Sequence, residues 1–207
     1  MTKMVISIAT RGSINVNLLP LLKNVKDKVV IINKHNNILL QRNLQVLYAL
    51  PHLSNGDWLI FIDDDVLPNK IPTRQELERY GSEVVCGLYP LKTFKGLSVG
   101  KGIEWLKINE IRDGDDVDFC GLGLTAFRAS YIKELFKKTE GRIFNVSYSV
   151  DNNNKYIFLG EDLVFFFMHK PQTKVMAHWY GVHFIDNITG LNPDFTISLY
   201  NDIITLN

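Results

Sequence analysis

Three consecutive carboxylates, Asp63, Asp64 and Asp65, follow a run of large apolar residues in the segment GDWLIFIDDDVLPN. Like charges packed together repel one another, and removing each carboxylate from water costs free energy unless a cation compensates. Because side chains alternate along an extended chain, Asp63 and Asp65 point to one side and Asp64 to the other. The cluster therefore predicts a bound cation at the end of a strand.

The oxygen ligands of this cluster favour Mg²⁺ or Mn²⁺, which are hard cations. Mg²⁺ usually combines one or two protein carboxylates with the phosphates of a substrate, so a diphosphate is the expected co-ligand. The alternative interpretation is a solvated acidic turn, stabilised by Pro68 and Asn69. The cluster alone leaves both interpretations open.

Four short runs rich in β-branched residues occur in the first half of the chain, at residues 5–9, 29–32, 59–62 and 84–88. The stretches between them are long enough for helices, which indicates a βαβ pattern and a mainly parallel sheet buried on both faces. Such sheets bind ligands at the carboxyl ends of their strands. The acid cluster follows the third run, so it lies where a ligand is expected.

The segment ILLQRNLQVLYAL, between the second and third strands, is predicted to be an amphipathic helix. Leu40, Leu44 and Leu47 recur at helical spacing and are expected to form its buried face. The other side of this helix is polar and carries Gln41, Arg42 and Gln45.

Further elements follow from local signals. TRQELERY has the spacing of a capping box, with Thr73 and Glu76, and SYIKELFKK is predicted to be a helix capped by Ser130. GIEWLKINEI, DFCGLGLTAF and KVMAHWYGVHF are predicted strands, YSVDNNNKYIF is predicted to contain a polar turn, and GEDLVFFFMHK is predicted to be an apolar helix. Gly121 and Gly123 allow a close backbone approach, and packing against a neighbouring strand is preferred to contact with a ligand.

Taken in order, several of these segments resemble motifs of the GT-A fold glycosyltransferases, particularly the family 2-like members. The segments are VISIATRG, the helix containing QRN, the strand ending in D-x-D, VVCGLYP, FCGLGLTAFRASYIKEL and GEDLVFFF. The resemblance covers residues 5–184. It implies a single α/β, Rossmann-like GT-A domain over residues 1–207, with a central, mainly parallel mixed sheet flanked by helices. Residues 1–90 would bind the nucleotide-sugar, 91–190 would form the acceptor and catalytic half, and 191–207 would be a C-terminal tail.

The same resemblance implies an activity and its partners. Members of this family transfer a sugar from a nucleoside-diphosphate-sugar to an acceptor hydroxyl, with Mn²⁺ or Mg²⁺ as cofactor. The expected donor is a UDP- or GDP-sugar, and the expected acceptor is a glycan, a protein or a lipid-linked molecule. Compact members of this kind resemble enzymes carried by viruses and by glycan-assembling bacteria.

The family pattern assigns roles at the donor site. Asp65 would bind the metal ion that bridges the two phosphates, with Asp63 as a further ligand that meets the sugar or ribose and Asp64 in support. Thr10, Arg11 and Arg42 fall where the family holds the nucleotide. The segment IINKHNN replaces the family's usual acidic turn, so Asn33 is the expected contact for the base edge.

The family pattern also assigns the acceptor side. Asp162 falls at the position of the general base, which would imply an inverting reaction, although retaining enzymes share the fold and the D-x-D motif. Glu161 is the second choice, as a support for Asp162. Both acids would equally stabilise the N-terminus of a helix without any chemistry. His183 is the expected third metal ligand and His178 the alternative, although a structural role for either histidine stays open.

Composition limits the class of protein. The 207 residues are 46% hydrophobic and carry a formal net charge of +1, so one compact domain is expected and no global field attracts nucleic acid or anionic lipid. Cys86 and Cys120 lack C-x-x-C spacing and are predicted to be buried thiols in a reducing compartment. Neither a signal peptide nor a transmembrane segment is predicted, which favours a cytoplasmic protein, with peripheral membrane association as a variant of that location.

Two other functions are compatible with parts of the sequence. A nucleotidyltransferase would use a similar sheet, but it usually carries a loop rich in glycine and basic residues after the first strand, and ATRGSINVN is poor in both. A non-catalytic module that binds metal or sugar would keep the core pattern. Such a module has no reason to hold Asp162 and His183 near Asp65.

Overall fold

The structure is a computed structural model. It describes residues 4–10, 14–15, 17–25, 28–35, 37–91, 96–102, 104–150, 156–183, 190–191 and 203–206. The predicted polar turn at residues 151–155 and the tail segment FTISLY lie outside the described residues.

The described part of the chain alternates strands and helices. Its strands are β1 (Met4–Thr10), β2 (Ile14–Asn15), β3 (Lys28–Lys34), β4 (Trp58–Asp63), β5 (Val66–Pro68), β6 (Val84–Leu88), β7 (Val99–Lys101), β8 (Glu104–Trp105), β9 (Phe119–Cys120), β10 (Leu124–Arg128), β11 (Ser147–Val150), β12 (Tyr156–Leu159), β13 (Thr173–His183), β14 (Gly190–Leu191) and β15 (Ile203–Leu206). Its α-helices are α1 (Leu18–Lys23), α2 (Ile38–Ala49), α3 (Arg74–Glu78), α4 (Ala129–Lys138) and α5 (Glu161–His169). Two short 3-10 helices span Leu50–His52 and Ile108–Glu110.

The central sheet has eight strands in the order β15-β3-β1-β4-β10-β6-β13-β5. The first four run parallel to one another, β10 is antiparallel to both of its neighbours, and β13 is parallel to β6 but antiparallel to β5. The prediction of a mixed, mainly parallel, Rossmann-like α/β sheet flanked by helices is therefore confirmed.

The sheet is buried on both faces, as a parallel sheet should be. Alternate residues of β1 and β4 enter two separate apolar clusters. Val5, Leu59 and Phe61 belong to one cluster, and Ile6 and Ile60 to the other. The acid cluster begins where the buried part of β4 ends, since β4 is buried up to Ile62 and Asp63 follows it.

Most predicted elements are confirmed, and the cap of α4, the extent of the strand in GIEWLKINEI and the buried face of α2 were predicted wrongly. The capping box of α3 is present, with Thr73 and Glu76 exchanging backbone and side-chain hydrogen bonds. Ser130 is not a cap, because β10 runs directly into α4 and places Arg128 at the N-cap position. GIEWLKINEI forms only the short β8 and a 3-10 helix. The glycine turn at Gly121 to Gly123 is present and separates β9 from β10 within DFCGLGLTAF.

The buried face of α2 is opposite to the predicted one. Leu40 and Leu47 are each 45% exposed, whereas Gln41, Arg42 and Gln45 are buried. The polar face can be buried because its side-chain amides donate hydrogen bonds to backbone carbonyls of β1. Gln41 Nε2 donates to the carbonyl of Thr10 at 2.9 Å, and Gln45 Nε2 donates to that of Ser7 at 3.1 Å. Helical periodicity identified the helix but not the face that packs.

Cys86 and Cys120 are buried free thiols, as predicted. Among the helices of the described part of the chain, none is both long and apolar enough to cross a membrane.

The reversed face of α2 gives a stability test. Gln45→Ala should lower the free energy of unfolding by about 1–3 kcal/mol, because it leaves the buried carbonyl of Ser7 without this donor. Leu47→Ala, on the exposed face, should cost roughly 0.5 kcal/mol. Urea denaturation of both variants measures the difference, and a larger loss for Leu47→Ala would contradict the observed packing.

Candidate active site

A cavity of about 370 Å³ opens at the carboxyl ends of β1 and β4. Six predicted site residues line it: Thr10, Arg42, Asp63, Asp64, Asp65 and Glu161. They come from two strands, the start of α5 and the buried face of α2, so the fold brings together residues that are far apart in the sequence. This position is where an α/β sheet binds its ligands.

The carboxylate of Asp63 is held by a guanidinium. Arg42 Nη2 donates to Asp63 Oδ2 at 2.9 Å, and Nη1 lies 2.7 Å from Oδ1, within ion-pair distance but outside hydrogen-bond geometry. The Arg42 side chain is only 3% exposed. Part of the negative charge that the sequence gathers at this strand end is therefore compensated inside the protein.

Arg42 also reaches α5. Its Nε lies 3.5 Å from Glu161 Oε1, so one cation links β4 and the first turn of α5. Burial lowers the pKa of Arg42, but the charges of Asp63 and Glu161 outweigh burial and raise it overall. The guanidinium therefore stays charged at any physiological pH.

Two buried polar atoms of this network have no hydrogen-bond partner, namely Asp63 Oδ1 and Arg42 Nε. Buried polar atoms in native proteins are usually paired with protein, water or ligand. Here both atoms lie in ion-pair contacts instead, Asp63 Oδ1 at 2.7 Å from Arg42 Nη1 and Arg42 Nε at 3.5 Å from Glu161 Oε1.

His183 approaches the acid cluster from β13. Its Nε2 lies 3.6 Å from Asp65 Oδ2, and its Nδ1 lies 2.8 Å from the carbonyl of Pro90. Since a carbonyl only accepts, Nδ1 carries a proton in this hydrogen bond, and in the neutral ring the lone pair is therefore on Nε2, which faces Asp65. Metal-binding histidines are commonly oriented in this way by a second hydrogen bond.

Within the described residues, no group of three or more histidine, cysteine, aspartate and glutamate side chains is arranged to hold a metal ion. The predicted set of Asp63, Asp65 and His183 is thus not preassembled, since Asp63 is engaged by Arg42. Asp65 and the oriented His183 still form a donor pair of the kind that Mn²⁺ or Mg²⁺ uses together with substrate phosphates.

His178 lies elsewhere. Its side chain is 51% exposed, and its Nδ1 is 3.3 Å from Asp113 Oδ1, in a separate polar pocket that also contains Glu76. His178 and His183 therefore occupy opposite faces of β13, as the five-residue separation predicts. Only His183 lies beside the acid cluster.

Asp162 occupies the first turn of α5 and is mostly buried. Burial, and then the negative charge of Glu161, raise the pKa of Asp162 to about 6. Its Oδ1 accepts a hydrogen bond from the Leu163 amide at 2.7 Å. Glu161 lines the cavity, whereas Asp162 is not among the lining residues. Asp162 is thus a carboxylate whose proton affinity is tuned close to neutral pH, one residue away from the cavity wall.

The glycine turn between β9 and β10 supports the acid cluster from behind. The Tyr89 hydroxyl accepts a hydrogen bond from the Gly123 amide at 3.1 Å. A Cβ atom on Gly121 would lie 2.3 Å from that hydroxyl oxygen, and one on Gly123 would lie 2.8 Å from Asp63 Oδ2. The close approach is therefore made to Tyr89 and Asp63, in agreement with the packing interpretation.

Two predicted contacts cannot be placed. Arg11 lies outside the described residues, and for Asn33 only the backbone, within β3, is described. Sequence analysis did not assign five residues to the site: Tyr89, and the cavity-lining residues Ala9, His35, Ile38 and Gln41. His35 follows β3 at the ligand-binding edge of the sheet, so its position in the topology was the available signal.

Comparison with known proteins identifies a related viral protein. No family model and no curated protein matches the chain. The crystal structure of the viral protein A197 from STIV matches 93% of this chain and 91% of its own, with 30% sequence identity and a TM-score of 0.68. HddC from Yersinia pseudotuberculosis covers 88% of this chain and 93% of its own at 9% identity, and its TM-score of 0.48 is too low to support any conclusion.

The fold is a Rossmann-like α/β fold, and it is shared with A197 over nearly the whole of both chains. The match to A197 covers nearly the whole of both chains at 30% sequence identity, and this shows a shared family as well as a shared fold. The chain belongs to the same protein family as A197 from STIV.

The raised pKa of Asp162 predicts a pH-dependent contribution to stability. The folded protein holds the Asp162 proton more tightly than the unfolded chain, so this stabilisation is complete below pH 3.8 and is lost as the pH rises through about 6. The loss amounts to about 3 kcal/mol for a shift of roughly two pKa units. Asp162→Asn should therefore gain stability relative to the wild type between pH 4 and pH 7, as measured by urea denaturation.

The control for this experiment is Asp116→Asn, whose carboxylate is 69% exposed and pairs with Lys174. It reports the pH dependence that the loss of a surface carboxylate brings. Parallel stability curves for wild type and Asp162→Asn would contradict the assigned environment of Asp162.

Proposed function

We propose that this protein is a metal-dependent glycosyltransferase, which transfers a sugar from a UDP- or GDP-sugar to an acceptor hydroxyl with inversion. The observation that supports this most strongly is the convergence of the strand-end acids, Arg42 and the first turn of α5 on one cavity. That convergence occurs in a Rossmann-like α/β fold and in a member of the A197 family, and the order of the motifs that carry it resembles that of the GT-A glycosyltransferases.

The three strand-end acids have different proposed roles. Asp63 is fixed by Arg42 and lines the cavity, so its carboxylate is suited to accept a hydrogen bond from a ribose or sugar hydroxyl. Asp65 and His183 would hold Mn²⁺ or Mg²⁺ together with the donor diphosphate. The bound ion supplies charge stabilisation for the departing diphosphate. Asp64, which also lines the cavity, would support this site.

The proposed role of Arg42 differs from the nucleotide contact that the family resemblance implies. Its guanidinium faces Asp63 and Glu161, so we assign it to positioning these two acids instead of contacting the nucleotide. Thr10 lines the cavity and remains a proposed nucleotide contact, together with Arg11 and Asn33.

Asp162 is the proposed general base. It would take the proton of the acceptor hydroxyl while that oxygen bonds to the anomeric carbon and the bond from this carbon to the diphosphate breaks. A pKa of about 6 leaves Asp162 ionised at neutral pH and keeps it a stronger base than an ordinary aspartate. Glu161 helps to raise that pKa, and its own position is fixed by Arg42.

The proposed roles of Asp65 and Asp162 can be separated. Asp65→Ala should lose both sugar transfer and the Mn²⁺-dependent part of UDP or GDP binding, because it removes a metal ligand. Asp162→Asn should keep that binding and lose transfer by about 100-fold or more. Calorimetric titration and a transfer assay measure the two quantities, and Asp65→Ala with undiminished Mn²⁺-dependent binding would refute the metal role.

The pH dependence of turnover gives a further test. Because the base acts in its deprotonated form, kcat/KM should rise with pH up to about 6 and level off above it. A rate that falls across this range would exclude Asp162 as the base.

The function itself is tested by incubating the protein with a panel of nucleotide-sugars, with and without Mn²⁺, and measuring released nucleoside diphosphate. Mn²⁺-dependent release from one donor is the expected result. Release of pyrophosphate from a nucleoside triphosphate and a sugar phosphate would identify a nucleotidyltransferase. Nucleotide binding without turnover of any donor or triphosphate would identify a non-catalytic module.

A further inference from the structure

Two aromatic side chains outside the cavity are exposed side by side. Tyr148 in β11 and Phe158 in β12 are 70% and 57% exposed, and their ring centroids lie 5.3 Å apart. The two residues are directly opposite each other in the antiparallel hairpin of β11 and β12, so both rings stand on the same face of it. Single exposed apolar residues are common, whereas adjoining rings form a contiguous apolar patch of the kind found on binding surfaces.

The hairpin leads directly into the proposed general base. β12 ends at Leu159, and Gly160 follows it as the N-cap of α5 with an extended backbone. Side chains two residues apart in an extended segment point to the same side, so a side chain on Gly160 would point to the side of the Phe158 ring. A Cβ atom on Gly160 would lie 3.1 Å from Asp162 Oδ1. The Asp162 carboxylate therefore lies on the same side of the chain as the two rings.

An acceptor can reach Asp162 from this side without crossing the donor cavity. Glu161 lines that cavity, whereas Asp162 does not, and part of the Asp162 surface is exposed. The Cα atoms of Phe158 and Asp162 are at most roughly 14 Å apart, since only four residues of chain separate them. A short oligosaccharide spans such a distance, so one acceptor can contact the rings and the carboxylate together.

The residues around the rings favour a carbohydrate as the occupant. The neighbours of Tyr148 in β11 are Ser147 and Ser149, and the connection between the two strands has the sequence DNNNK. A hairpin that inserts into a membrane needs an apolar connection, because polar groups are costly to remove from water. A sugar ring has C–H groups that pack on an aromatic face and hydroxyl groups that bind polar side chains and water, so it suits an aromatic pair in polar surroundings.

The size of the patch also favours a small ligand over a protein partner. A stable protein interface buries roughly 800 Å² on each partner. Two aromatic side chains supply at most roughly 500 Å² even when they are fully buried. The pair is therefore too small for a protein interface by itself, and it matches the faces of one or two sugar rings.

We propose that Tyr148 and Phe158 form a carbohydrate-binding subsite, and that the acceptor is a glycan whose hydroxyl reaches Asp162 while a sugar ring stacks on the two aromatic rings. This inference rests on the proposed function, because it takes Asp162 to be the general base. It selects a glycan from the acceptor classes that the family resemblance allows.

The first test measures glycan binding without turnover. The full-length protein, with UDP or GDP and Mn²⁺, is applied to an array of immobilised oligosaccharides that covers the common hexose and N-acetylhexosamine linkages. The wild type should bind a subset of these glycans. Tyr148→Ser and Phe158→Ser should each weaken that binding about threefold to tenfold, because each variant removes one ring contact. Tyr148→Phe should retain the binding, because it keeps the ring.

Tyr180→Ser is the matched control. Tyr180 is a tyrosine of a strand, β13, is 55% exposed, and does not line the donor cavity. Its substitution should leave glycan binding at the wild-type value. Thermal unfolding of all variants checks the fold, and it should change little because all three side chains are exposed.

The second test uses the transfer reaction with the glycan that binds most tightly. Phe158→Ser should raise KM for this glycan about threefold to tenfold and change kcat by less than about twofold, because stacking holds the ground state and the transition state equally. KM for the nucleotide-sugar should stay at the wild-type value. A loss confined to kcat would contradict a binding role for the ring.

The outcomes separate this inference from the proposed function. A wild type that binds no glycan, or glycan binding that is equal in Phe158→Ser and Tyr180→Ser, would overturn the subsite even if a nucleotide-sugar is hydrolysed. If the ring variants instead lost binding to phosphatidylcholine and phosphatidylglycerol vesicles, or lost a dimer, the pair would belong to a membrane or a second copy, and the proposal would fall. Ring-dependent glycan binding without turnover of any donor would keep the subsite and refute the transferase.

Discussion

The buried ion pair between Arg42 and Asp63 is the constraint on which the rest of the site depends. A strand that ends in three carboxylates is stable only if their charge is compensated, and a guanidinium inside the protein supplies part of that compensation. Breaking such a pair leaves an uncompensated buried charge, which is strongly destabilising. The position of Arg42 therefore dictates how α2 can pack.

That requirement explains the unusual packing of α2. If the leucine face were buried, Arg42 would point to solvent and Asp63 would lose its partner. Burial of the polar face instead places Gln41 and Gln45 against backbone carbonyls of β1, where both amides form hydrogen bonds. The helix thus combines the apolar core contacts of Val46 and Ala49 with a polar network that reaches β1, β4 and α5. Leu40 and Leu47 remain half-exposed as a consequence.

The same pair gives the acids different properties. Asp63 is neutralised and oriented, so it is suited to position a hydroxyl. Asp65 lies beside a histidine whose Nε2 faces it and whose Nδ1 is oriented by a backbone carbonyl, so the two side chains are suited to a metal ion. Asp162 is mostly buried next to Glu161, so its pKa rises towards neutrality. Carboxylates of similar intrinsic chemistry thereby support three separate proposed roles.

Much of the fold could be predicted from the sequence, because the core strands are short β-branched runs and α3 carries a capping box. The position of the acid cluster followed from the end of β4. The buried face of α2 could not be predicted, since its partners Ser7, Thr10 and Asp63 are distant in the sequence. The orientation of the His35 ring also could not be predicted. It depends on the hydrogen bond that the Asn37 amide donates to Nδ1, for which residue spacing gives no signal.

A double-mutant cycle on Arg42→Met and Asp63→Asn tests the central claim most directly. Free energies of unfolding from urea denaturation should show a coupling of at least about 2 kcal/mol between the two positions, with the double variant less damaged than the two single variants combined. Strictly additive losses would contradict the account, because they would mean that the guanidinium does not compensate the charge of this strand end.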